Sequence, residues 1–227
     1  MKYGSELDLS KLEKIELRKS SEFRIAIDGR IEEGGKTIIV TSKLYDTLPC
    51  LSIDELEKCK DFRTIVYTLF HEMGHLTDMT KYPILYGYAS DENEELSTFM
   101  PAFFWVEYLA ENRSYLTGLN DKIELCEGFV NIAWKPNTIN FEYPYDNNFF
   151  WLNKSLVYFL VGTSKPEIRK RYLKRIKNEL RVEYINELWD EILRLDGLLP
   201  FDEIDNLANM YGIMNKYYKS FCLKYCE

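Results

Sequence analysis

The chain has 227 residues, of which 46% are hydrophobic and 29% are charged, proportions typical of a folded globular protein and not of a disordered or fibrous one. Its 37 acidic and 29 basic side chains give a formal net charge of −8, which argues against a nucleic-acid partner bound broadly through phosphates. No apolar run approaches the roughly eighteen residues of a membrane-spanning helix, so we expect no membrane partner. Only two histidines are present.

The start of the chain and the cysteines both favour a cytoplasmic protein. The first residues, MKYGSELDLS, lack the apolar core and the cleavage site of a secretory signal peptide. The five cysteines are odd in number and scattered, which suits a reducing compartment better than a disulfide framework. We therefore expect a cytoplasmic location.

The first predicted elements are two strands followed by a helix. Residues 23–28 (FRIAID) alternate in polarity and residues 37–41 (TIIVT) are β-branched throughout, so both segments favour strands. The glycine-bearing connection between them predicts a hairpin with a long loop. Ser52 and Glu55 then fit a capping box, and a long helical pattern follows over residues 54–79.

The rest of the chain is predicted to be helical. Pro83 and Gly87 indicate a loop, and residues 91–119 form a second helical region. Pro101 is expected to split that region, so that a new helix begins there. A polar loop follows over residues 131–148. Three helices come after it, over residues 149–160, 166–195 and 201–225.

These elements predict an α+β fold that is mostly helical and carries a small N-terminal β-sheet. We expect one domain over residues 1–227, with the sheet at about 23–41. The two helices with the candidate metal ligands described below would lie at about 54–79 and 101–117. A helical C-terminal part would cover 149–227.

Both histidines stand in one motif, His71-Glu72-Met73-Gly74-His75, which has the HExxH pattern. On a helix, residues i and i+4 lie on one face a single turn apart, so the two imidazoles can converge on one Zn²⁺. Glu72 would lie beside that metal, where its carboxylate could take a proton from a water bound to the zinc. The spacing therefore predicts a zinc site with a general base.

The apolar residues of this helix lie on the side away from the imidazoles, at about 100° per residue. They are Phe62, Ile65, Val66, Leu69, Phe70, Met73 and Leu76. We therefore predict that the apolar face packs in the core and that the histidine face lines a cleft. Thr64 and Thr68 would be small neighbours of the metal on that face.

Catalytic zinc takes three protein ligands and keeps a position open for water. Since no third histidine exists, the third ligand must be a carboxylate or a thiolate. The best candidate is Glu107, in the sequence EYLAE. Glu111 lies one turn further and would hydrogen-bond an imidazole, and the small Ala110 would let the two helices approach closely.

Other ligands stay open at this point. Asp78 follows His75 by three residues on the same helix face, so it could reach the metal or orient a ligand. Glu111 itself is a further alternative. Glu94 and Glu95 belong to an acidic helix start, where a solvated or dipole-complementing role is favoured.

HExxH followed by ExxAE resembles the gluzincin class of zinc metallopeptidases. HEMGHLTD with EYLAE is similar to the catalytic domain of anthrax lethal factor and to the ImmA/IrrE-type peptidases of bacteria and mobile elements, over residues 64–116. The resemblance implies a zincin-like fold and a zinc-dependent hydrolase acting on a peptide or protein substrate. It further implies that His71, His75 and Glu107 are metal ligands, that Glu72 is the base and that Glu111 supports a ligand.

Three functions follow as expectations, the last of them a structural zinc domain. The first is a zinc metallopeptidase in which Glu72 activates the water. The second is a zinc-containing regulatory or partner-binding protein of phage or mobile-element type with little peptidase activity. Because both histidines are in the motif, a peptidase would have to stabilise the substrate oxyanion with a tyrosine or an arginine. Candidates for that role are Tyr86, Tyr88, Tyr143 and Tyr145, whereas Arg113 could support the glutamates of the second helix.

Overall fold

The computed structural model describes residues 7–22, 29–91, 95–115, 118 and 147–226. Within these ranges lie three β-strands and eight α-helices, so the predicted α+β, mostly helical fold with a small sheet is confirmed. The predicted strand at 23–28 and most of the predicted loop at 131–148 lie outside the described residues. Among the described helices, none is both long and apolar enough to cross a membrane.

The sheet has three strands in the order β1-β3-β2. They are β1 (Lys14–Lys19), β2 (Gly29–Glu32) and β3 (Thr37–Ser42). Central β3 pairs parallel with β1, where Lys14 lies opposite Thr37, and antiparallel with β2. All six residues of β3 are buried, so the TIIVT segment is a core strand.

Two details of the predicted sheet are wrong. Strand β1 was not predicted, because the charges of KIELRK mask the alternation that Ile15 and Leu17 provide. The connection before β3 was predicted to be a long loop, yet residues 29–32 pair with β3 as strand β2. The loop is short because Gly34 and Gly35 adopt positive φ values of 66° and 98°, which glycine allows without a steric penalty.

Two helices replace the single predicted helix at 54–79. They are α1 (Ile53–Lys58) and α2 (Lys60–Lys81), separated at Cys59, whose backbone is extended. The capping box is confirmed, since Glu55 accepts a hydrogen bond from the Ser52 backbone N–H at 2.8 Å. Helix α2 contains the whole HExxH motif and packs against β2 and β3.

The predicted loop after α2 is a helix, α3 (Pro83–Ser90). Its proline stands in the first turn, where the missing N–H costs no intrahelical bond. The carboxylate of Asp202 accepts hydrogen bonds from the N–H groups of Ile84 and Leu85, each at 3.0 Å. This cap comes from a distant part of the chain, so the local sequence gave no indication of it.

Helix α4 (Leu96–Tyr115) runs continuously through Pro101, so the predicted new helix start at that proline is wrong. A proline in the second turn removes the hydrogen bond to the carbonyl one turn earlier, and its ring crowds that carbonyl. Buried neighbours on the same helix, Met100 and Trp105 among them, provide tertiary packing that outweighs this loss.

The C-terminal helices are α5 (Asn147–Gly162), α6 (Pro166–Leu173), α7 (Glu179–Leu198) and α8 (Ala208–Cys226). The prediction of one helix over 166–195 is wrong. The side chain of Asn178 accepts a hydrogen bond from the Arg181 N–H at 3.1 Å and so caps a separate α7.

The chain divides into two compact units. The first comprises residues 1–81 and 109–121, with β3 and Leu76 in its core. The second comprises residues 82–108 and 122–227, and its core includes fully buried aromatic side chains such as Trp105. The boundary falls within the continuous helix α4. A single domain over the whole chain stays a prediction.

Candidate metal centre

Helix α2 presents both imidazoles to one point. Nε2 of His71 and Nε2 of His75 lie 3.0 Å apart, as expected for side chains one helical turn apart. Both side chains are buried, with exposed fractions of 8% and 9%. Two nitrogen donors therefore face each other in a region largely shielded from water.

Helix α4 supplies the third donor. His71, His75 and Glu107 each offer one ligand atom, and these three atoms lie within 4.8 Å of one another. Across the ranges that the structure describes, this is the set of histidine, cysteine and acidic side chains close enough to hold a metal ion together. The structure thus brings together the three residues that the sequence predicts as ligands.

The donor set fits zinc. Two imidazole nitrogens and one carboxylate oxygen are ligands that zinc commonly takes in catalytic sites. With zinc–nitrogen bonds of about 2.0–2.1 Å and tetrahedral angles, two ligating nitrogens would lie about 3.3 Å apart. The observed Nε2–Nε2 separation of 3.0 Å is close to that value.

Glu111 lies one turn beyond Glu107 and contacts His71. Its Oε2 lies 3.3 Å from Nδ1 of His71, and its Oε1 accepts a hydrogen bond from the hydroxyl of Tyr67. The two atoms are close but make no hydrogen bond; a proton on Nδ1, facing this carboxylate, would leave Nε2 with the lone pair that a metal ligand needs. Tyr67 was not predicted, although its position one turn before His71 places it on the motif face.

Asp78 faces Arg113. Nη2 of Arg113 donates to Oδ1 of Asp78 at 2.6 Å, and Nη1 donates to Oδ2 and, at 3.3 Å, to the carbonyl of Gly74. Burial raises the pKa of Asp78, while the hydrogen bonds and charge of Arg113 oppose that rise. The structure therefore places Asp78 in an ion pair that joins α2 to the end of α4, and outside the three-residue group.

The two helices lie close together at Gly74 and Ala110. A methyl group added at Gly74 would lie 3.2 Å from Cα of Ala110, closer than side chains ordinarily pack. Both residues are buried. The small Ala110 therefore permits the close approach that the sequence predicts, and Gly74, within the HExxH motif, is its counterpart on α2.

Glu72 is held against strand β2. A methyl group built on Gly29 would lie 2.9 Å from Oε1 of Glu72 and 2.5 Å from the methyl group of Thr68. Only 7% of Glu72 is exposed. The absence of a side chain at Gly29 gives room for this carboxylate.

The predicted division of α2 into a core face and a cleft face is wrong. Of the seven apolar residues, only Leu76 is buried, and the others are half-buried. The histidine face is the more buried one, because α4, β2 and β3 cover it. Thr68 is buried on that face and Thr64 is exposed.

The remaining candidates are dispersed. Glu94, Tyr143 and Tyr145 lie outside the described residues, and Glu95 is exposed just before α4. Tyr86 and Tyr88 lie on α3 and not in a loop. A cation that was not predicted is Lys154 on α5, whose Nζ lies 4.0 Å from Oε2 of Glu107. No local sequence signal connects these two residues.

Comparison with models of known protein families, with curated proteins and with solved structures finds no match. The chemical interpretation therefore depends on the residues themselves. Two imidazoles and a carboxylate can bind a divalent metal, and Glu72, directly after the first histidine, can accept or release a proton.

Proposed function

We propose that this protein is a zinc-dependent metallopeptidase of the gluzincin type, which hydrolyses peptide bonds in a peptide or protein substrate. The observation that carries the proposal is the grouping of His71, His75 and Glu107 within 4.8 Å. A glutamate stands directly after the first of these residues. A purely structural zinc site would not require that glutamate, whereas hydrolysis requires a base.

Each side chain then has a distinct task. Bound zinc would polarise the substrate carbonyl and make water a stronger acid. A carboxylate oxygen of Glu72 accepts the proton of the attacking water and returns it to the leaving amine. Glu111, whose Oε2 lies 3.3 Å from Nδ1 of His71, would keep the proton on that nitrogen and so leave Nε2 to the metal.

The test is a comparison of wild type with Glu72→Gln, which keeps the shape of the side chain but removes its basicity. Each zinc-loaded protein is incubated with a peptide library derived from a whole proteome, and new termini are identified by mass spectrometry. We expect cleavage by wild type and a loss of at least about a hundredfold in the variant, the lower range for general base catalysis.

A matched control is Glu95→Gln, an exposed glutamate just before α4, which should cleave like wild type. Zinc content should be unchanged in both variants. Equal cleavage by wild type and Glu72→Gln would contradict the assignment of the base.

A second candidate is a zinc-containing regulatory or partner-binding protein with little peptidase activity. The deep burial of His71, Glu72, His75 and Glu107, all 7–9% exposed, favours it, because a peptide must reach a catalytic metal. Zinc-loaded wild type that leaves the entire peptide library intact would support this candidate over the peptidase.

A further inference from the structure

Lys154 places a positive charge beside Glu107, the α4 residue of the candidate metal centre. Its Nζ lies 4.0 Å from Oε2 of Glu107 and about equally far from two rings, 5.8 Å from Phe103 and 5.9 Å from Trp151. Phe103 precedes Glu107 by one turn on α4, and Trp151 precedes Lys154 by one turn on α5. Both rings lie at distances from the ammonium group that are typical of cation–π contacts.

The ammonium group of Lys154 has donors to spare. A separation of 4.0 Å from Glu107 is an ion-pair contact too long for a hydrogen bond. Lys154 makes no hydrogen bond to any residue within the described parts of the chain, although an ammonium group carries three donors. Its side chain is 31% exposed, against 10% for that of Glu107, so it borders solvent where a substrate could approach.

Peptide hydrolysis creates a negative charge that needs such a donor. As the water oxygen bonds to the carbonyl carbon, its proton passes to Glu72 and the carbonyl π electrons move onto the carbonyl oxygen. The carbon–nitrogen bond then breaks, and the amine leaves with the proton that Glu72 returns. The carbonyl oxygen is anionic between these two events, and a nearby cation lowers the barrier.

We propose that Lys154 is the residue that binds this anionic oxygen. The sequence predicts a tyrosine or an arginine in that role. This inference rests on the proposed peptidase function. Arg113 is already engaged by Asp78 and Gly74. A metal held by Glu107 competes with Lys154 for the same carboxylate charge, which leaves the ammonium group available to the substrate.

The test measures anion binding, which does not require a known substrate. Wild type, Lys154→Met and Lys154→Arg are loaded with cobalt(II), whose visible absorption reports on ligands at the metal. Inorganic phosphate, a tetrahedral anion, is then titrated into each protein. Lys174→Met, at an exposed lysine of α6's C-terminal end, is the matched control.

We expect all four proteins to bind one equivalent of cobalt. The dissociation constant for phosphate should rise about tenfold or more in Lys154→Met, as the loss of a charge-assisted hydrogen bond implies. It should stay within about threefold of wild type in Lys154→Arg and in the control.

Unchanged phosphate binding in cobalt-loaded Lys154→Met would overturn the proposed role of Lys154 but not the metal centre. So would a variant whose only defect is weaker cobalt binding, because Lys154 would then merely support Glu107. Cobalt-loaded wild type that binds no phosphate would also contradict the inference. Wild type that binds no cobalt would instead overturn the metal centre, and with it the proposed function.

Discussion

Asp78 and Arg113 form an ion pair whose two side chains are almost completely buried. Taking both charges out of water is costly, and the cost is offset only by good geometry and further hydrogen bonds. Arg113 meets this condition by donating to both oxygens of Asp78 and to the Gly74 carbonyl. The pair thus joins α2, next to the HExxH motif, to the last turns of α4.

Removing one partner of this pair should lower the free energy of unfolding more than removing both partners. In Arg113→Met the carboxylate of Asp78 is left buried without its cation, and we expect a loss of about 3–5 kcal/mol in the free energy of unfolding. The double variant Asp78→Leu/Arg113→Met should recover part of that loss. Urea denaturation of the three proteins checks this, and an Arg113→Met protein as stable as wild type would contradict it.

Helix α2 shows what short-range patterns can and cannot predict. The spacing of His71 and His75 and that of Glu107 and Glu111 follow from the helical period alone, so the grouping of these side chains could be predicted. The break at Cys59, the cap that Asp202 gives to α3 and the continuity of α4 through Pro101 depend on tertiary packing.

The limit of short-range patterns also explains why the predicted burial of α2 is wrong. Periodicity locates apolar residues, but the surface that is covered depends on which elements pack there. In this protein β2 and α4 pack beside the histidine face, so polar side chains such as His71, Glu72 and Glu111 are buried there. Lys154 was missed for a related reason, because only the folded chain brings α5 to Glu107.

The close contact of α2 and α4 gives a prediction for Gly74. The branched side chain of Gly74→Val should push against the backbone of Ala110, destabilise the fold by about 1–3 kcal/mol and weaken zinc binding. A control is Gly212→Ala on α8, where an added methyl group meets nothing within 4 Å.

Gly212→Ala should gain about 0.5–1 kcal/mol through helix propensity and leave zinc binding unchanged. Thermal unfolding and zinc titration measure both effects. Wild-type stability and zinc affinity in Gly74→Val would show that the two helices do not need this contact.

For the molecule as a whole, the count of histidines most strongly limits which residues can fill the roles in the candidate metal centre. The chain has two histidines, and both belong to the same candidate metal centre. On the proposed function, the third ligand and the group that binds the oxyanion must therefore come from other residue types, and we propose Glu107 and Lys154 for these two roles.

The most direct test is the zinc content of purified wild type, Glu107→Ala and Glu95→Ala, measured by elemental analysis after dialysis against metal-free buffer. We expect about one zinc per chain in wild type and in Glu95→Ala, and a loss of zinc in Glu107→Ala, because catalytic zinc sites depend on three protein ligands. Metal-free wild type, or full zinc content in Glu107→Ala, would contradict the assignment of the centre.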